Sequence, residues 1–86
     1  MLSIRVKIVY RKLGKEKAWG QAHIVDQTIE IDPRLKGKKK MEIILHEALH
    51  ILNPEFSETK VIEQSKKLTA LLWKEHYRQV DNDIKV

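Results

Sequence analysis

The sequence predicts an α+β domain: a small antiparallel sheet of three strands packed against two helices, in the order β-β-β-α-α. Three observations carry this. Apolar residues alternate with charged or polar ones in the first part of the chain, the signature of half-buried strands. From about Lys38 the apolar spacing becomes helical. Asn53-Pro54 followed by Ser57 then divides the second half into two helices.

The first strand lies within Leu2 to Tyr10, where Ile4, Val6 and Ile8 point one way and Arg5 and Lys7 the other. "RKLGKEKAWG" breaks the pattern with Gly14 and Gly20 and reads as a charged loop. Two short strands follow, Gln21–Val25 and Thr28–Asp32, joined through Asp26-Gln27 as a hairpin without a turn glycine. Asp32-Pro33 stops the third strand and Gly37 separates it from the first helix. That helix runs from about Lys38 to Leu52, because proline disfavours helical geometry in the residue before it. Ser57 caps the second helix, with Glu58 in the first turn where the helix dipole favours an acid. The second helix is expected to reach about Gln79, leaving residues 79–86 as a tail that frays.

Eighty-six residues fit one domain, residues 1–86, and one modest core. With 42% hydrophobic and 34% charged residues the chain has a globular rather than a disordered composition. The absence of cysteine excludes disulfides and thiolate metal sites, so a bound metal must use His, Asp or Glu. The start of the chain has no apolar core of signal-peptide length, and no stretch reaches a membrane span. The expected location is the cytoplasm. A net charge of +5 is densest at Lys36 and Lys38–Lys40, with more at Lys66 and Lys67. No aromatic residue is interleaved there to stack on bases, so a solvated surface is favoured over nucleic-acid binding.

"MEIILHEALHILNPEFSE", Met41 to Glu58, carries the chemistry. At about 100° per residue, Met41, Ile44, Leu45, Ile51 and Leu52 fall within about 60° of Ala48. His46 and His50 lie on the opposite side, one turn apart. Little else on that side is polar, so the helix should be packed on both sides with the histidines in a cleft. Residues i and i+4 project side by side, and two imidazoles can converge on one zinc ion. Glu47 follows the first histidine and reaches towards water rather than metal, as a general base. This is the H-E-x-x-H pattern of zinc hydrolysis.

Glu55, Glu58, Glu63, Glu75 and His76 are candidates for a third ligand. The inward stripe of the second helix is Val61, Ile62, Ser65, Leu68 and Leu72, with Thr69 and Trp73 at its edge. Glu58 precedes it on the same face. Glu63 falls on the outer side with Lys66 and Lys67. His76 lies about 27 Å further along the axis. A short turn makes an antiparallel helical hairpin, which sets Glu58 at the height of His50. Glu58 is therefore preferred, then Glu55, then Glu63. Its alternative role is a simple dipole-stabilising acid.

On "TIEID", "ILHEALHILNPEFSE", "LLWKEHYR" and Trp19-Gly20, the chain resembles the zincin metallopeptidases of the gluzincin type, particularly small phage and bacterial members. The similarity covers roughly Trp19 to Arg78. It implies a minimal zincin-like fold and a zinc-dependent peptidase, with His46, His50 and Glu58 as ligands and Glu47 as base. It also implies a peptide or protein substrate paired with an edge strand beside the cleft. Compared with larger zincins, the resemblance leads one to expect neither the helix that precedes their sheet nor a second domain. A partner protein or a narrow substrate is the corresponding expectation. The alternative is a non-catalytic module in which zinc staples two helices for protein interaction. His23 is expected to be an exposed strand residue, and Trp73 and Tyr77 to be packing residues.

Overall fold

The computed structural model describes residues 5–14 and 19–80. Within them are β1 (Lys7–Tyr10), β2 (Gly20–His23), β3 (Thr28–Ile31), α1 (Gly37–Leu52) and α2 (Glu58–Lys74). The α+β class and the element order are as the sequence predicts.

The sheet is mixed rather than antiparallel, with strand order β1-β3-β2. β2 and β3 form the antiparallel hairpin, pairing Gly20 with Ile31 and Ala22 with Ile29. β1 lies parallel to β3 on its other side, pairing Ile8 with Ile29. The connection between the parallel neighbours β1 and β3 includes the whole of β2, so β1 and β2 are the two edges. Parallel neighbours need such a long connection, whereas a hairpin does not. The four-residue turn Ile24–Gln27 dispenses with glycine by placing Gln27 in the left-handed region, φ 51°.

The expected first strand is shorter than Leu2–Tyr10: Arg5 and Val6 precede β1, and Leu2 to Ile4 lie outside the described residues. Part of the charged loop, residues 15–18, also lies outside them. Its described part is anchored. Leu13 is buried, and its N–H donates to Asp32 Oδ2 at 3.3 Å. Asp32 is itself buried and accepts from the Arg34 N–H at 3.0 Å and from Arg34 Nε at 2.8 Å and Nη2 at 2.6 Å. These bonds, the guanidinium's above all, hold the Asp32 carboxyl well below its ordinary range. So the residue that ends β3 also pins the loop before β2.

Ile29, Ile31, Leu35 and Ile51 form the core, joined by Val6, Ala22, Ile43, Ile44 and Ala48. α1 packs on β2, β3 and α2, whereas α2 packs on α1 alone among these elements. The buried line on α2 is Val61, Ser65 and Thr69. Ile62 and Leu68, expected on the inward stripe, are exposed, as is Leu52 of α1. Small buried side chains at i, i+4 and i+8 let the helices approach closely. α2 ends at Lys74, five residues short of the expected Gln79. Glu75 is its C-cap and His76 turns left-handed at φ 69°, which stops the helix. Residues 77–80 continue without regular structure, and the rest of the expected tail, residues 81–86, is not described.

Candidate metal centre

The site is built on the end of α1 and the start of α2. Asn53 closes α1, its N–H bonding to the Leu49 carbonyl. After Pro54, the Ser57 hydroxyl accepts from the Lys60 N–H at 3.1 Å and starts α2. This short reversal sets Glu58 opposite the last turns of α1.

His50 Nε2 is 2.8 Å from Glu58 Oε1, and His46 Nε2 is 3.3 Å from Glu58 Oε2. The two imidazoles meet edge to face with centroids 5.0 Å apart. His46 and His50 side chains are 18% and 25% exposed, and Glu58 is 62% exposed, so the grouping opens to solvent on the α2 side. One donor atom from each residue lies within 4.8 Å of the others; among the described residues no second grouping of three such donors occurs.

The donor set fits a zinc ion. Three donors at about 2.0–2.2 Å around a tetrahedral ion sit roughly 3.4 Å apart, so the 2.8 Å His50–Glu58 contact would open and the widest of the separations, which lie within 4.8 Å, would close. Two imidazoles and one carboxylate also leave a fourth position for water. Without a metal, the same geometry is a direct contact of the Glu58 carboxylate with both imidazoles.

Glu47 is set apart from these three. It is one of the two buried residues of α1, 8% exposed. It faces β2, where a Cβ built on Gly20 would lie 3.2 Å from Glu47 Cγ and 2.6 Å from Ile43 Cγ2. Glycine is required there by close approach, not by a turn. Burial pushes the Glu47 carboxyl above its ordinary range, against the pull of His46 and His50. Helical periodicity places α1 between two packed surfaces but does not reveal this contact. The signal available was Trp19-Gly20 ahead of the hairpin.

Other candidates lie elsewhere. Glu63 pairs with Lys67 at 3.4 Å, and neither it nor Glu55 belongs to the three-donor grouping. His76 follows the far end of α2. Arg78 stacks 3.4 Å over the Trp73 ring and bonds to the Trp73 carbonyl. His23 is 3.3 Å from Glu30 Oε1, beside the Arg11–Glu30 ion pair. Alternation places His23 and Gln21 on the sheet face opposite Gly20 and Ala22, away from α1. Of the basic clusters, Lys66 pairs with Glu42 at 3.0 Å and Lys67 with Glu63. No helix among the described residues is long and apolar enough to cross a membrane. No protein-family model, curated protein or solved structure matches the chain.

Proposed function

We propose that the protein is a zinc-dependent peptidase, with His46, His50 and Glu58 holding the metal and Glu47 as general base. The observation that carries this reading is the pairing of a three-donor grouping with a separate, buried carboxylate on the same helix. Zinc held there would supply a Lewis acid that polarises a scissile carbonyl and acidifies water.

The protein's own groups do the rest. Glu47 is buried beside Ile43 where α1 meets Gly20 of β2, which limits the positions from which its carboxylate can accept a proton from water. Its raised affinity for protons brings it nearer the range in which a base can later return the proton to a leaving amine. β2 is an edge strand that packs on α1, and among the described residues no strand pairs with its outer row of N–H and C=O groups, where an extended substrate could add. Gly20 keeps that edge close to Glu47.

A second reading, a zinc-stapled interaction module, is favoured by one observation: among the described elements, α2 packs on α1 alone. A ligand clasping both helices would secure it. Metal analysis of purified protein tests what both readings share. One zinc per chain is expected, lost in Glu58→Ala and kept in Glu63→Ala; equal retention in the two variants would remove Glu58 from the site. A peptide-library digest then separates the readings. Zinc-loaded protein that cleaves nothing favours the staple.

A further inference from the structure

α1 packs across β2 and β3 but not across β1, and this leaves a groove on the other side of the helix from the histidines. It has a volume of about 930 Å³. Ile8 and Tyr10 of β1 form one wall, Ile44 and Leu45 of α1 the floor, and Leu72 and Trp73 of α2 the other wall. Ile8 and Tyr10 are 39% and 46% exposed although they lie on the core side of the sheet. Among the described residues no other strand or helix covers this apolar wall.

The charge of the groove says what fits it. Among the described residues, Lys36, Lys40 and Arg78 are its ionisable groups apart from the phenols of Tyr10 and Tyr77, and no carboxylate lines it. Two of the cations are held in place. Lys40 Nζ lies 4.7 Å over the Tyr10 ring and donates to Gln79 Oε1 at 2.7 Å, while Arg78 lies 3.4 Å over Trp73. The same pairs cover faces of Tyr10 and Trp73 that would otherwise stack on nucleobases. A second copy of this +5 chain would bring like charges together at the rim.

We infer that this groove docks an acidic, apolar-rich segment of a partner protein, its apolar side chains between β1 and the helices and its carboxylates on Lys36, Lys40 and Arg78. The inference does not depend on the metal reading, because no residue of the three-donor grouping lines the groove.

The test is selection of a random twelve-residue peptide library against the full-length protein. Enriched peptides should combine Asp or Glu with large apolar residues, and their amide-shift footprint should cover β1, Leu45 and Leu72. Ile8→Ser, and separately Lys40→Glu with Arg78→Glu, should each weaken a selected peptide by about tenfold or more. Asp26→Ala, in the exposed β2–β3 turn, should leave its affinity unchanged. Enrichment of nothing, of peptides without acids, or of peptides mapping to β2 overturns the proposal. So does tighter binding of an acidic-lipid vesicle or an oligonucleotide to the same residues, or a concentration-dependent dimer lost in Ile8→Ser. The chain's own end, with Asp81, Asp83, Ile84 and Val86, is the remaining competitor. Replacing those four with alanine should not change affinity; a tenfold gain would make the end of the chain the occupant instead.

Discussion

The two helices are of nearly equal length and obey opposite rules. α2 is locally consistent: Ser57 caps it, Glu58 stands in its first turn, and Lys74 in its last. α1 begins with no side-chain cap and no acid in its first turn, and Lys38, Lys39 and Lys40 meet the positive end of its dipole. Its first residue, Gly37, has φ 58°, a geometry glycine adopts without strain. It then buries a carboxylate, Glu47. α1 therefore depends on the sheet and α2 for its stability, since short helices are marginal without tertiary packing. The helix that breaks local rules is the one that carries the candidate chemistry.

The largest expected effect separates chemistry from stability on α1. Glu47→Gln keeps the packing against Gly20 and removes the proton acceptor. Peptide hydrolysis should fall roughly 10²–10⁴-fold while zinc content and the circular dichroism spectrum stay unchanged. Cleavage that persists in the variant would take the base role from Glu47.

Next comes the dependence of α1 on the sheet. Gly20→Ala pushes a methyl group into Ile43 and against Glu47, and the nearest atoms leave it only 2.6 Å. Denaturant unfolding should show a loss of about 1–3 kcal/mol, the usual cost of overpacking. An unaffected midpoint would mean that β2 can move off α1 freely.

Cap removal from the locally consistent helix should cost less. Ser57→Ala leaves the Lys60 N–H without its partner, and a loss of about 1 kcal/mol is expected. Because Ser57 precedes Glu58, zinc affinity should weaken with it; stability lost without any change in metal binding would uncouple the cap from the site.

The smallest effect repairs the other helix. Lys38→Glu with Lys39→Glu places acids where α1 has none, and a gain of about 0.3–1 kcal/mol per favourable charge is expected at low salt. The gain should shrink in 1 M salt, where the Debye length is about 3 Å. No gain at any salt concentration would show that the first turn of α1 is governed by its neighbours rather than its dipole.

These contrasts also decide what the sequence makes legible. His46, Glu47, His50 and Glu58 can be brought together on paper because helix periodicity and a short turn are local rules, and Ser57 announces its helix in the same way. The sheet order cannot be read so. It depends on where residues 11–19 carry the chain, and on the Asp32 carboxylate gripping Leu13 from nineteen residues away. Glu47 against Gly20 is likewise a long-range contact, visible in sequence only as a glycine where a strand begins. The early end of α2 turns on one left-handed residue, His76, and histidine gives less warning of that geometry than glycine.

Among the described elements α2 packs on α1 and on no strand, and Glu58 stands at its first residue. The candidate centre thus straddles the joint between an outlying helix and the body of the fold. A ligand gripped from both sides of such a joint acts on the closed form alone, and its concentration becomes a term in the protein's survival. At a hundredfold excess over its dissociation constant it adds about 2.7 kcal/mol against opening. Metal supply would then regulate how long the hairpin stays shut, and with it the protein's exposure to proteolysis, before any substrate arrives.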